Sequence, residues 1–311
     1  MNFTELTDLA TGYWRSAALN AAVELKLFEK LPCRSEGFEA DLFDALAGLK
    51  LVSKTSDGGY DFHPESRHFL DPASPACLLG AFRYNVDLYP TWAKLAETIR
   101  TEKPALSPQA HLGMDPQRTR RFVLGMDSRA AGLAPELIPA LGAMNGTLLD
   151  LACGGGTFSR ILAKQNSGLS VTQFDLPDVL AVAEELAGSG SGIRFVPGDY
   201  RNDPLPGTFD HVLYSGALHQ ENPETALKLM RTIRAAVKPG GAAYIFDLMT
   251  DASGTSPLFA RLFSLNMRLT SQYGRVFTVE QAADLLRTAG FAKVESRFMP
   301  TVPYALIRAE G

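Results

Sequence analysis

The 311-residue chain, with 46% hydrophobic and 21% charged residues, has the composition of a globular protein and room for two domains. Its formal net charge of −4 disfavours binding to nucleic acid or to an anionic membrane surface. No signal peptide or bilayer-spanning segment is visible, and Cys33, Cys77 and Cys153 are too widely spaced for a disulfide framework or a zinc site. We therefore expect a cytoplasmic protein without a metal ion.

The first half of the chain shows mainly helical patterns. Apolar spacing predicts one helix from Tyr13 to Leu31 and a second over roughly Phe38 to Leu49. Asp57-Gly58-Gly59 then separates two short β-type runs, as in a hairpin. This order is typical of a winged-helix unit, but the second helix has too few basic residues to favour DNA binding. Further helices are predicted over Leu78 to Thr101 and Pro116 to Leu141.

The second half alternates strands with helices from Asn145-Gly146 onward. Runs such as Thr147–Ala152 and Phe209–Tyr214 are apolar on both faces, as expected for strands that helices cover on either side. The alternation predicts an α/β fold with a Rossmann-like, doubly wound, mostly parallel sheet. After it, two strands separated by Pro300 predict a terminal hairpin.

Three predicted strand ends carry residues that suit one ligand. The glycine-rich turn from Asp150 to Gly156 follows the first strand, where a ligand approaches the backbone closely. Asp175 ends the second strand and is suited to binding two ribose hydroxyls. After the third strand, Asp199 can accept a hydrogen bond from an adenine amine, and Tyr200 can cover the ring. A nicotinamide oxidoreductase is less favoured, because Ser159 replaces the third glycine or alanine of the dinucleotide fingerprint.

These motifs resemble those of class I S-adenosylmethionine-dependent methyltransferases. Nearly the whole chain resembles the caffeate-type and bacterial small-molecule O-methyltransferases, which carry an N-terminal winged-helix dimerisation domain. The matching segments are the DLACGGG turn, Phe174-Asp175-Leu176-Pro177, Gly198-Asp199-Tyr200, Leu218-His219, Lys238-Pro239-Gly240-Gly241, Phe277-Thr278, Ala289-Gly290-Phe291, and Tyr89-Pro90-Thr91-Trp92 followed by Leu95. The resemblance implies a helical, winged-helix-like dimerisation and substrate-lid domain over residues 1–145, and an S-adenosylmethionine-binding catalytic domain over residues 146–311.

The resemblance also implies roles for individual residues. The predicted cofactor-binding residues are Ala152, Gly154, Gly156, Asp175, Leu176, Asp199, Tyr200 and Ser215. His219 falls where the O-methylating members keep their general base. Because the sulfonium of the cofactor is already a strong electrophile, the enzyme mainly aligns an in-line displacement and removes the acceptor proton. We therefore predict methyl transfer to a hydroxyl of a small molecule, expected to be aromatic.

Three positions depart from the family pattern. Gln220 and Glu221 replace the acid and the tryptophan that usually follow the family histidine, and Val276 stands where another acid is expected. Asp247 is a candidate for one carboxylate near His219. These departures leave open a C- or N-methyltransferase, a member diverted to non-methylating chemistry, or a non-catalytic cofactor-binding module.

Two helical segments are candidates for the acceptor pocket. Ligands of doubly wound folds lie over the carboxyl ends of the strands, so a lid must come from elsewhere in the chain. The predicted substrate-binding residues are Phe122 and Met126, before the second domain, and Phe263 and Met267, in the segment from Leu258 to Met267. The alternative is that these side chains are ordinary core.

An apolar face on the first long helix predicts assembly. Leu19, Val23 and Leu27 lie beside an alanine stripe, and together they exceed what one short domain is expected to bury. We predict a two-fold homodimer through the N-terminal helices.

Overall fold

The computed structural model, which describes residues 1–106 and 115–311, divides the chain into two compact units, Met1–Pro90 and Thr91–Gly311. The predicted boundary at residue 145 therefore falls inside the second unit. The reason is that Leu137, Ile138 and Leu141, on the helix before that boundary, are buried in one core with the sheet strands. His111, interpreted from the sequence as structural, lies outside the described residues. Among the described helices, none is long and apolar enough to cross a membrane.

The first unit consists of short helices and one small hairpin. Its elements are α1 (Phe3–Thr11), α2 (Tyr13–Glu24), a 3₁₀ turn (Leu27–Lys30), α3 (Gly37–Gly48), β1 (Val52–Lys54), β2 (Tyr60–Phe62), α4 (Arg67–Leu70) and most of α5 (Leu79–Trp92). The predicted hairpin is present, with β1 and β2 antiparallel. The helix predicted from Tyr13 to Leu31 ends early, because Lys26 adopts a left-handed conformation with φ of 56°.

The apolar face predicted to bind a partner is mostly used inside the first unit. Val23 is 4% exposed and Leu27 is fully buried, and both pack in a core with Phe28, Phe43 and Leu46. The choice of residues in this argument for a dimer is therefore wrong, because α2 packs against α3 and the 3₁₀ turn of its own chain.

The second unit is a helix-covered sheet. Its elements are α6 (Leu95–Thr101), α7 (Pro116–Leu141), β3 (Gly146–Leu151), α8 (Thr157–Gln165), β4 (Leu169–Asp175), α9 (Pro177–Ala187), β5 (Arg194–Pro197), β6 (Phe209–Ser215), a 3₁₀ turn (Leu218–Gln220), α10 (Pro223–Ala236), β7 (Val237–Asp247), α11 (Leu258–Thr270), α12 (Val279–Thr288), β8 (Lys293–Phe298) and β9 (Ala305–Glu310). The helix predicted from Leu78 to Thr101 is two helices, α5 and α6.

The seven strands follow the order β5-β4-β3-β6-β7-β9-β8. The first five are parallel, and β9 pairs antiparallel with both β7 and β8, which confirms the α/β fold and the terminal hairpin. Leu148 and Leu149 enter different cores, so β3 is covered on both faces. The strand order reverses at the β3/β6 junction, and in such sheets the ligand crevice lies at that reversal, outside the carboxyl ends of the strands.

Candidate active site

The turn after β3 is shaped by left-handed backbone. Ala152, Gly154 and Gly156 have φ of 56°, 57° and 67°. A Cβ atom on Gly156 would collide with the Gln173 side chain of β4, so this glycine is required by close packing. A Cβ on Gly154 would meet nothing within 4 Å, so this part of the turn borders open space. The turn is therefore packed on its inner side and open where a ligand can approach.

Asp175, at the end of β4, is fixed to that turn by backbone donors. Its Oδ2 accepts a hydrogen bond from the Gly154 N–H at 2.8 Å, and its Oδ1 accepts one from the Leu176 N–H at 2.7 Å. Burial raises the pKa of Asp175 to about 6, while these two N–H groups act to lower it. Each carboxylate oxygen keeps a second lone pair, so the group can still accept hydrogen bonds from two hydroxyls.

A buried polar network lies beneath the turn. Asp150 is 1% exposed, and its Oδ2 accepts a hydrogen bond from Ser159 Oγ at 2.5 Å. Ser159 in turn accepts one from Gln173 Nε2 at 2.9 Å. Asp150 Oδ1 has no hydrogen-bond partner within residues 1–106 and 115–311, and burial raises the pKa of this carboxyl to about 7. Ser159, which replaces the third glycine or alanine of the dinucleotide fingerprint, thus connects Asp150 to Gln173 beneath the turn.

The loop after β5 lies beside Asp175. The Gly198 N–H donates to the Asp175 carbonyl oxygen at 3.0 Å. The Asp199 carboxylate accepts hydrogen bonds from the Arg201 N–H at 3.0 Å and from Asn202 Nδ2 at 2.7 Å. The Tyr200 hydroxyl donates to Glu221 Oε1 at 3.0 Å. The three sequence motifs therefore meet at one edge of the sheet. There the open glycine turn, the Asp175 carboxylate and the Tyr200 ring have the chemistry to bind a nucleoside that carries an amino-acid chain.

His219 is held at the ends of β6 and β7. Ser215 ends β6, and the next N–H, that of Gly216, donates to the Phe246 carbonyl of β7 at 2.8 Å. The 3₁₀ turn that follows carries His219, whose N–H donates to Asp247 Oδ2 at 3.1 Å. The imidazole Nδ1 lies 2.7 Å from Asp247 Oδ1. Because a carboxylate only accepts hydrogen bonds, this contact puts the ring proton on Nδ1 and leaves a lone pair on Nε2.

The surroundings of this pair are largely apolar. The side chain of Asp247 is 2% exposed and that of His219 is 12% exposed. The ring of Phe263, on α11, meets the imidazole edge to face at 4.8 Å. The position where the family pattern has a further acid is Val276, which is 5% exposed in the core. Asp247 is thus the carboxylate that orients His219.

The other predicted pocket residues have separate environments. Met267 is 7% exposed and abuts Gly274, so it packs within the protein. Phe122 packs in a small cluster that includes Leu176, the residue after Asp175. Met126 lies one turn further along α7 and is half-buried. Phe263 thus lies directly against the His219 ring.

Two functional contacts were missed from the sequence. Asp127 of α7 accepts hydrogen bonds from the Thr157 hydroxyl and the Arg160 guanidinium at the start of α8. Glu221 is 3% exposed and binds Tyr200 and Arg201. No local motif signals either contact, because the partners are 20 to 33 residues apart in the chain. Within the described ranges, no cluster of His, Cys, Asp and Glu could hold a metal ion.

The sequence has relatives of known activity. Residues 92–292 match the O-methyltransferase domain family. The chain is 32% identical to the tetracenomycin polyketide synthesis 8-O-methyltransferase TcmO of Streptomyces glaucescens, over 94% of this chain and 92% of the relative. It is 31% identical to the 3-hydroxy-5-methyl-1-naphthoate 3-O-methyltransferase of Streptomyces sahachiroi, over 99% of this chain and 93% of the relative.

The fold also has a solved counterpart. The human N-acetylserotonin methyltransferase, in complex with S-adenosylmethionine, aligns with a TM-score of 0.89 at 23% identity, over 99% of this chain and 97% of that one. The family match over residues 92–292 and the identity to the two Streptomyces relatives show the family. The chain therefore belongs to the O-methyltransferase family of S-adenosylmethionine-dependent methyltransferases.

Proposed function

We propose that this enzyme transfers the methyl group of S-adenosylmethionine to a hydroxyl of a small aromatic molecule, with His219 as general base. The observation that carries the proposal is the 2.7 Å contact between His219 Nδ1 and a buried Asp247. It leaves Nε2 free to take a proton at the carboxyl edge of the sheet. The names of the two Streptomyces relatives, both O-methyltransferases, support transfer to oxygen.

The residues proposed to bind the cofactor lie at the same edge of the sheet. The backbone of Ala152, Gly154 and Gly156 would hold the methionine portion, and Asp175, with Leu176, would hold the ribose. Asp199 and Tyr200 would hold the adenine, and Ser215 would lie beside the cofactor. The bound cofactor supplies an electrophilic methyl group on a sulfonium.

The chain's own residues then have three tasks. Asp247 fixes the tautomer and the orientation of His219, as a carboxylate does for a catalytic imidazole. Phe263 packs on the imidazole and limits access of water to it. His219 Nε2 removes the acceptor's hydroxyl proton as the oxygen attacks, because a phenol with a pKa of about 10 is mostly protonated at neutral pH. Of the four residues predicted for the apolar acceptor wall, Phe122, Met126 and Phe263 would form it, whereas Met267 packs within the protein.

The test is transfer of isotope-labelled methyl to a panel of phenols, hydroxyquinones, aromatic amines and 2-oxo acids. We expect label on a phenolic oxygen, and we expect His219→Ala to lower turnover by about 10²–10⁴ with cofactor affinity almost unchanged. His68→Ala, which changes an exposed histidine of the first unit, is the matched control. Label on carbon or nitrogen, or unchanged turnover of His219→Ala, would favour a C- or N-methyltransferase.

We also propose a cytoplasmic homodimer joined through the N-terminal helices. Support comes from an apolar surface on α1 and the start of α2, where five large side chains are more than half exposed: Phe3, Leu6, Leu9, Tyr13 and Trp14. The three cysteines are free thiols, as is usual in a reducing compartment. Light scattering that reports a monomer at micromolar concentration would refute the dimer.

A further inference from the structure

Glu221 stands where the family pattern has a tryptophan, and it lies at the end of the turn that carries His219. Its N–H donates to the Leu218 carbonyl at 3.0 Å, which closes this 3₁₀ turn. Its side chain points inward and is 4% exposed. A carboxylate this buried is strongly destabilising unless donors and an opposite charge compensate it.

The compensating groups come from the loop after β5. Glu221 Oε1 accepts hydrogen bonds from Arg201 Nε at 2.8 Å and from the Tyr200 hydroxyl at 3.0 Å. Arg201 Nη2 also lies 2.8 Å from this oxygen, which makes the contact an ion pair. The Arg201 guanidinium also lies over the Tyr200 ring, 5.5 Å from its centroid. One oxygen atom therefore joins the loop with the proposed adenine residues to the turn with the proposed base.

The Tyr200 ring packs against the core cluster beside the sheet, and its polar end is oriented by Glu221. Its edge contacts the Tyr214 ring at 5.8 Å, and its hydroxyl is anchored by Glu221. Burial, and next the Glu221 carboxylate, raise the pKa of Tyr200 well above its ordinary value, so the phenol stays a neutral hydrogen-bond donor.

We propose that Glu221 is a positioning residue that orients Tyr200 against the adenine of the cofactor and ties that side of the site to the His219 turn. This inference rests on the proposed placement of adenine at Tyr200. It assigns to this chain a polar tether that the family's tryptophan could not provide, because an indole has no acceptor for the Tyr200 hydroxyl.

The experiment measures S-adenosylhomocysteine affinity by calorimetry for Tyr200→Phe, Glu221→Gln and the double variant. Tyr200→Phe removes this hydrogen bond, and Glu221→Gln replaces its charge-assisted form with a weaker neutral one, so each single variant should weaken binding about three- to tenfold. The double variant should bind no more weakly than Tyr200→Phe alone, because that change already removes the contact that Glu221→Gln weakens. Asp284→Asn, which removes a charge from an exposed pair with Arg287, is the matched control.

Kinetics separates positioning from a purely structural role. Glu221→Gln should raise the Michaelis constant for S-adenosylmethionine about three- to tenfold and lower turnover less than His219→Ala does. Lower thermal stability with unchanged constants for the folded fraction would overturn the proposal, as would additive effects in the double variant. If Glu221→Gln does not fold, Glu221→Leu combined with Arg201→Met removes the tether without leaving a buried charge unpaired, and it should show the same weakening.

Asp175→Ala, measured in parallel, distinguishes the two proposals. If it weakens binding while the Tyr200 and Glu221 effects are additive, only the role of Glu221 fails. If it leaves S-adenosylhomocysteine affinity unchanged, the proposed cofactor site itself is wrong.

Discussion

The two halves of the proposed active site, a cofactor half and an acceptor half, are built by different means. The cofactor half, at the ends of β3, β4 and β5, uses backbone N–H groups to fix one carboxylate, that of Asp175. The acceptor half, at the ends of β6 and β7 with α11, uses the side chains of His219, Asp247 and Phe263. Backbone geometry depends on local sequence, whereas a cluster of side chains depends on packing between distant segments. The first half suits an invariant ligand, and the second can change with the acceptor.

The sharpest way to separate the halves is Asp247→Asn. Both carboxylate oxygens accept backbone N–H groups, those of His219 and Leu248, so an amide nitrogen would face a donor in either orientation and the imidazole would lose its fixed tautomer and orientation. We expect turnover to fall about 10²–10⁴-fold while S-adenosylhomocysteine affinity stays nearly unchanged. Labelled methyl transfer and calorimetry measure the two quantities. An equal loss of turnover and of S-adenosylhomocysteine affinity would mean that the cofactor half depends on Asp247 as well.

We expect the free energy of unfolding to depend on pH through Asp150, the buried carboxyl group beneath the glycine turn. Asp150 has a folded-state pKa of about 7, well above its ordinary value of 3.8, because burial disfavours its charge. The folded state therefore binds this proton more tightly, and stability falls as pH rises from about 4 to 7. In Asp150→Asn, the free energy of unfolding should decrease by roughly 2–4 kcal/mol less over this pH range than in the unchanged protein. Urea unfolding of both proteins between pH 4.5 and 7.5 gives the two slopes, and parallel slopes would refute the role of Asp150.

Asp175→Ala tests the cofactor half directly. Loss of its hydrogen bonds to the ribose hydroxyls should weaken S-adenosylhomocysteine binding by about 1.5–3 kcal/mol. Asp178→Ala, on the following helix α9, changes a nearby carboxylate that faces solvent and serves as the control. Tight binding of NADH without binding of S-adenosylhomocysteine would contradict the assignment.

The smallest effects are expected in the acceptor wall. Met126→Ala and Phe263→Ala should each raise the acceptor's Michaelis constant about three- to tenfold and alter the preference among acceptors of different width, while cofactor binding persists. Phe259→Ala, which changes a side chain that is 54% exposed one turn before Phe263 on the same helix, is the matched control. Lower stability with wild-type kinetic constants would show that these side chains are core.

The sequence predicted the cofactor half better than the rest. Gly154 and Asp175 sit in local motifs whose backbone requirements are visible in the sequence, and a hydrogen bond joins them in the structure. The partner of Glu221 was not predictable, because an acid after the family histidine could as well have faced solvent. The division at Pro90 was missed because α7 carries an ordinary amphipathic pattern, which does not tell which unit it covers. Likewise, the pattern around Val23 and Leu27 did not distinguish an internal core from an interface.

Asp127 contacts the segment after the glycine turn and lies on the same helix, α7, as Met126. It binds the Thr157 hydroxyl and the Arg160 guanidinium, and a Cβ on Gly155 would lie 2.8 Å from its Oδ1. The residue before it, Met126, belongs to the proposed acceptor wall. A single helix thus fixes the spacing between the methyl donor and the molecule that receives it. During divergence to new acceptors, or in deliberate redesign, a change at residue 126 would alter the proposed acceptor wall alone, whereas a change at Asp127 would also remove contacts that hold the glycine turn.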